Sequence, residues 1–510
     1  MGTTLAFALG SSLLFAQTPP PSPTQTTAPA AAATDAKPAG PAPKPLHFES
    51  HHALPLAGGK SLDYVATAET TPLEDKDGQQ EAEFFSISYA VNGVDPAQRP
   101  VTFAFNGGPG SSSIWLHMGM LGPRLVDVPS DATGAGAPPF QSIDSPDPLL
   151  AVSDLVFVDP VGTGLSRVVL KGDPANFWGV DEDARTVARF IRRWLSDHAR
   201  WASPKYILGE SYGGIRGPLL VRELQGGANS VALNGLIMIS PAFDMAVVDG
   251  QDNDVAFATV IPTFAATAWY HQALPEPPKE LDPFLAEVTR FVKEEYVPAL
   301  FAGRSMGDER RAAVLDKLHR YTGLSADYLR RANLKVSTDR FRRELLRERG
   351  LVIGRLDARY TGTEPDAVGE VPSGDPMDAG ISGAFVSVFM DYLHTFLGVK
   401  VDRDYVVMSG EAGEKWKRPK SLESAFQGYV DVTPDLARGM ADNPQLRVFI
   451  ANGLFDVATS FFASEYEVER STMDLKRVEL KRFPAGHMMY IHHPTRAALS
   501  KAIREFIAKP

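Results

Sequence analysis

The run from Lys205 to Leu220 holds a serine placed for nucleophilic chemistry. Gly209-Glu210-Ser211-Tyr212-Gly213 fits the pattern G-x-S-x-G, with Gly214 beside it. Tyr206, Ile207 and Leu208 read as a buried strand before it, and the amphipathic run Ile215 to Leu224 reads as a helix after it. Strand, motif, helix is the context in which such a serine stands on a sharp turn with its hydroxyl exposed. Glycines two residues either side leave room for that turn. The Tyr212 N–H then lies at a helix N-terminus, where developing negative charge is stabilised. Glycine is frequent here, so the bare pattern also arises by chance; the flanking strand and helix single out Ser211.

A serine nucleophile needs a base for its proton and an acid to orient that base. On a strand–elbow–helix scaffold the chain order is Ser, then Asp or Glu, then His. Leu446 to Asn452 reads as a strand with Asp456 just past its end, and Val478 to Phe483 reads as the last strand, followed by Pro484-Ala-Gly-His487. Of eleven histidines, His487 alone follows a strand in a glycine-preceded turn; His117, His271, His492 and His493 lack that placement. Asp244, Asp252 and Asp254 are rival acids, but they come directly after the strand at Leu233. Val101 to Asn106 is another buried strand, and it runs into Asn106-Gly107-Gly108-Pro109-Gly110. Such a loop lets backbone approach a ligand and, beside a nucleophile elbow, supplies a second oxyanion N–H. No Lys follows it in the P-loop position, so nucleotide binding is not indicated.

These residues need a sheet to position them. Apolar strands at 101, 154, 206 and 233, with helical patterns such as Asp181 to Arg200, indicate a mainly parallel sheet covered on both faces. Residues of roughly 47–92 read as an antiparallel β lead-in. Between about Phe243 and Pro444 the rhythm breaks into charged helical patterns, a cap inserted over the active-site edge. The partition is then core over 46–250, helical cap over 251–440 and core again over 441–510. Thr495 to Ala508 closes the chain as a helix. Phe264 to His271 is aromatic enough to line a pocket, although such clusters more often sit in a core. A separate helical domain with its own partner is the alternative to a cap.

The 510 residues carry a net charge of −11, which argues against nucleic acid as a partner. There is no cysteine, which excludes disulfides, zinc thiolates and a cysteine nucleophile. Leu5 to Ala16 has the length of a signal-peptide apolar region, too short to span a membrane. Residues 1–16 are therefore expected to be a signal peptide, although no Lys or Arg precedes the apolar run, and 17–45 a disordered Pro/Ala-rich tether. This predicts a secreted or periplasmic protein without stable membrane insertion.

Five blocks together resemble the serine carboxypeptidases: Asn106 to Ser113, Asp159 to Ser166, Gly209 to Gly214, Asn452 to Asp456 and Ala485 to Met488. The resemblance covers roughly residues 85–245 and 445–507. It implies an α/β-hydrolase fold, a peptide substrate shortened from its C-terminus, and no metal or cofactor. By position it implies Ser211 as nucleophile, Asp456 and His487 as its partners, and Gly108 and Tyr212 as oxyanion donors. Asn106, Gly107 and Glu210 would bind the substrate's terminal carboxylate, which requires Glu210 to be protonated. The chain departs from the pattern twice. Ser111 stands where the eukaryotic pattern has Cys, and Met120 stands where it has a second Glu. An esterase or acyltransferase on the same scaffold is the nearest alternative, and a non-catalytic binding protein a more distant one.

Overall fold

The computed structural model describes residues 42–509, except 57, 228–229, 249–252 and 419–428. The expected signal peptide and nearly all of the tether lie outside the described residues, as does Asp252. The core is one ten-stranded sheet. Its strands are β1 (His47–Pro55), β2 (Ser61–Glu74), β3 (Gln80–Val91), β4 (Val101–Phe105), β5 (Asp154–Asp159), β6 (Lys205–Glu210), β7 (Gly235–Ile239), β8 (Arg447–Gly453) and β9 (Val478–Phe483), with Arg167–Val168 pairing outside β3. The spatial order is β1-β2-β3-β5-β4-β6-β7-β8-β9. β1, β2, β3 and β5 pair antiparallel; every pairing from β5 through β4, β6, β7 and β8 to β9 is parallel. This is the α/β-hydrolase fold.

The central strands are buried at nearly every position and largely apolar in their middles because both faces are covered. Alternate residues go to opposite sides. Phe103, Val156, Ile207, Leu236 and Val448 bury against α1 (Val180–Asp197) and α2 (Gly213–Gln225). Ala104, Leu155, Phe157, Leu208, Ile237 and Phe449 bury against α3 (Pro376–Asp391) and α4 (His493–Ala508). α1 stops three residues short of the expected Arg200, where Ala199 takes a positive φ of 54°. The lead-in strands are longer than their sequence pieces because β1, β2 and β3 share an extended antiparallel register.

No strand between Phe243 and Pro444 joins the main sheet among the described residues, but Leu351–Ile353 and Thr361–Thr363 form a separate short hairpin. The helices of 254–344 close a third apolar cluster, in which Phe264 stacks on Phe341 and Leu454 and Phe455 join. Phe264 to Ala268 of the Phe264 to His271 run thus belong to this inner packing, Tyr270 is exposed, and none of the run lines the cavity at the active-site edge.

Candidate active site

All three predicted catalytic side chains lie just past the C-terminal ends of parallel strands: Ser211 after β6, Asp456 after β8 and His487 after β9. Those ends share one sheet edge, which is how residues 276 apart in sequence reach one another. Asn106 to Gly108 follow β4 at the same edge.

Ser211 has φ +61°, a conformation that non-glycine residues rarely adopt and that an elbow imposes. Its N–H donates to the Ile239 carbonyl at 3.1 Å, and its own carbonyl accepts from Gly214 and Ala242. The turn is crowded as the motif requires. A Cβ on Gly209 would stand 2.7 Å from the Gly213 carbonyl oxygen and 2.8 Å from the Phe105 ring. The neighbouring loop is as tight: a Cβ on Gly107 would lie 2.4 Å from the Tyr212 nitrogen and 2.8 Å from Ser211 Cβ. Gly107→Ala must therefore displace the loop from the elbow. The expected result is a loss of at least about tenfold in kcat/KM, since ångström-scale displacement of a positioned group costs that much or more, with a lowered thermal midpoint in the same sample.

His487 and Asp456 are both buried, at 3% and 0% exposed. His487 Nδ1 and Asp456 Oδ2 are 2.8 Å apart. The Asp456 carboxylate is saturated with donors. Oδ1 accepts from the N–H groups of Ala458 and Thr459, each at 2.9 Å, and Oδ2 accepts from the Thr459 hydroxyl at 2.7 Å. Burial disfavours charge on the His487 imidazole, but the Asp456 carboxylate outweighs it and holds the ring above its ordinary value. His487 is also fixed through its backbone: its N–H donates to the Leu356 carbonyl and its carbonyl accepts from the Ser240 hydroxyl.

Ser211 and His487 line one cavity of about 330 Å³. The Ser211 hydroxyl makes no hydrogen bond among the described residues. In ligand-free sites a nucleophile–base contact is often long and tightens on substrate binding. The Gly108 and Tyr212 N–H groups likewise have no acceptor among the described residues. Gly108, with φ +103°, lines the cavity beside Ser211, and Tyr212 is the N-cap residue of α2.

Asn106 and Glu210, at 2% and 3% exposed, line the same cavity. Asn106 Oδ1 accepts from the Leu116 N–H, which turns the amide NH₂ away from that bond. The Asn106 carbonyl accepts from Arg216, whose guanidinium pairs with Asp183 at 2.6 Å in the interior. Burial pushes the Glu210 carboxyl up to about 7, against the opposing pull of His487 and of a hydrogen bond from Tyr490. The Tyr490 hydroxyl donates to Glu210 Oε2 at 2.8 Å.

Sequence reasoning missed Tyr490, Thr459 and the Arg216–Asp183 pair. Tyr490 lies three residues past His487, so the block at His487 could have been read further. Met120, in the position of a family Glu, is 1% exposed in the apolar core and lines no part of the cavity. Tyr490 gives Glu210 a hydroxyl partner instead, with its ring pressed so close to Gly119 that a Cβ there would lie 2.3 Å away. Ser111, in the position of a family Cys, accepts a hydrogen bond from the Trp115 indole at 3.1 Å.

The rival residues are engaged elsewhere. Asp244 accepts from Tyr429 and pairs with Arg470, and Asp254 pairs with Lys335. His117 bonds the Tyr89 hydroxyl, His271 the Ala358 carbonyl, His492 the Thr495 hydroxyl and His493 the Val128 carbonyl.

The remaining walls come largely from the inserted region. Leu356, Met377, Ile381 and Met408 are apolar; Arg355, Asp378 and Ser382 are polar. Trp115 and Met488 complete the apolar surface. No helix among the described residues is long and apolar enough to cross a membrane.

Residues 70–263 match the family model described as serine carboxypeptidase. Two similar curated proteins are from Arabidopsis thaliana. Serine carboxypeptidase-like 5 is 29% identical over 164 residues, which is 30% of this chain and 35% of the relative. Serine carboxypeptidase-like 7 is 30% identical over 157 residues, which is 29% of this chain and 34% of the relative. The alignments thus span about a third of these relatives. Among solved structures, Kex1(delta)p, a prohormone-processing carboxypeptidase from Saccharomyces cerevisiae, superposes with a TM-score of 0.55 at 14% identity. That match covers 87% of this chain and 91% of the yeast chain, and at such low identity it speaks to the fold. The chain is thus similar to serine carboxypeptidases over residues 70–263, and its described residues carry the α/β-hydrolase fold.

Proposed function

We propose that this protein is a serine carboxypeptidase. Ser211 attacks the carbonyl of the C-terminal peptide bond. His487 takes the hydroxyl proton and returns it to the leaving amine, while Asp456 holds the ring with its Nε2 unprotonated toward the serine. Gly108 and Tyr212 N–H groups stabilise the oxyanion. Asn106 and protonated Glu210, beside Gly107, receive the terminal carboxylate. The helical insertion over 251–440 serves as a cap that walls the cavity and excludes water.

The observation that carries this reading is the pairing of two acidic groups with opposite tasks on one sheet edge. Asp456 is ringed by donors that favour the anion, and Glu210 is raised toward neutrality by burial. A neutral carboxyl beside a nucleophile suits a substrate bearing its own carboxylate; a neutral ester has no need of it. The test is mass spectrometry of a mixed peptide library after incubation, scored by which end shortens. Loss of single residues from the C-terminus is expected. Shortening from the other end, internal cleavage, or cleavage of esters with all peptides left intact would contradict it.

The sign of the pH dependence follows from the two shifts. Below about 7 Glu210 is protonated and can donate to the substrate carboxylate; above it the two anions repel. KM for free-acid peptides should therefore rise above pH 7, approaching tenfold per unit. At lower pH, protonation of His487 removes the base, and kcat falls. Glu210→Gln should flatten the alkaline limb measured on kcat/KM. Tyr490→Phe removes a bond that favours the Glu210 anion, so it should move the same limb to higher pH. An alkaline limb unmoved by both changes would show that another group sets it.

We further propose export through the leader of residues 1–16, checked by N-terminal sequencing of the mature protein; an intact Met1 would contradict it.

A further inference from the structure

A substrate carboxylate entering this cavity meets a concentration of negative charge: Asp456 behind the histidine, Asp378 in the wall, and Glu210 whenever it ionises. Among the described residues lining the cavity, Arg355 is the one permanent cation. Its backbone is tied at both ends. The N–H donates to Asp375 Oδ2 at 2.9 Å and the carbonyl accepts from Val457 N–H at 3.1 Å, beside the Asp456 turn. The next residue, Leu356, accepts the His487 N–H. Arg355 is therefore held in register with both the acid and the base, and its charge reaches the His487 ring, on which it acts against protonation.

The side chain itself is exposed and makes no hydrogen bond or ion pair among the described residues, not even with Asp378. Its neighbours in the same region are engaged. Arg359 pairs with Asp357, Arg342 pairs with Asp339, and Arg349 bonds the carbonyls of His271 and Gln272. A guanidinium offers a planar fork that matches a carboxylate, and this one has no internal bond to break first.

We propose that Arg355, which lines the same cavity as Asn106 and Glu210, is a further partner for the terminal carboxylate of the substrate and so selects free-acid peptides over esters and amides. The inference rests on the carboxypeptidase reading above and names a recognition residue for it. It gives the carboxylate a charged partner that does not depend on the protonation of Glu210.

Binding measured by calorimetry in a Ser211→Ala background tests it without turnover. The ligands are an N-blocked dipeptide with neutral side chains, its methyl ester, and the same two compounds with Glu at the penultimate position. Adding Arg355→Gln should lower the free-acid to ester affinity ratio of the neutral dipeptide at least about tenfold, the worth of one charge-assisted contact. Arg355→Lys should restore part of it. An unaltered ratio would overturn the proposal, and so would a loss confined to the Glu-containing ligands, which would make Arg355 a side-chain reader. A wild-type enzyme that binds the free acid through Arg355 yet removes no residue from it would sink the carboxypeptidase reading and leave this one standing. Because Arg355 is exposed and makes no side-chain bond, an unchanged thermal midpoint is expected for each variant.

Discussion

Ser211→Ala should lower kcat by roughly four orders of magnitude or more on any peptide the wild-type protein cleaves, with KM little changed. The alanine keeps the elbow, because the strain at φ +61° is held by backbone bonds to Ile239, Gly214 and Ala242 that do not involve the hydroxyl. The hydroxyl itself makes no hydrogen bond among the described residues, so its removal costs the fold little. What disappears is the atom proposed to form the acyl-enzyme. Residual hydrolysis by water, helped by the oxyanion donors, is the expected background. A steady-state assay with burst-phase analysis separates the two: the wild type can show an acyl-enzyme burst, and the variant shows none. Retention of more than a few per cent of activity would remove Ser211 from the mechanism.

Asp456→Asn should cost roughly 10⁴-fold in kcat while leaving the protein folded. The reasoning is in the donors around it. Oδ1 accepts two backbone N–H groups, from Ala458 and Thr459, and an asparagine keeps its oxygen there. Its NH₂ group then replaces Oδ2, facing the Thr459 hydroxyl and His487 Nδ1. An amide N–H donating to Nδ1 forces the ring proton onto Nε2, the nitrogen that must be free to accept from Ser211. The variant should also lose the elevation of the His487 imidazole, because the charge that opposes the burial penalty is gone. The acid limb of kcat against pH reports this directly and should move to lower pH. An unshifted limb would mean that Asp456 does not set the state of His487.

The parts of the molecule legible in sequence are those governed by short-range pattern. The strands at 101, 154, 206, 235 and 447 have largely apolar centres because both faces of the sheet are covered there, and such runs are recognised without knowing their neighbours. The order Ser211, Asp456, His487 follows from a scaffold that places strand ends on one edge. Contacts across the sequence were not legible. Glu210 and Tyr490 are 280 residues apart, and nothing local to either announces the bond. Met120 stands where the resemblance has a Glu, yet it lies in the apolar core, and the hydroxyl that bonds Glu210 comes from the far end of the chain. Within the insertion, amphipathic helices give no indication of which wall they build. The Phe264 run packs inward on Phe341, whereas Leu356, Met377 and Ile381 face the cavity.

The most direct test of the central claim is labelling of the folded protein with a fluorophosphonate, followed by peptide mapping. A single adduct on Ser211 Oγ is expected in the wild type, and a much slower reaction in His487→Ala, whose fold is verified by circular dichroism. An adduct on another serine, no adduct in folded protein, or labelling of Ser211 at an unchanged rate without His487 would contradict it.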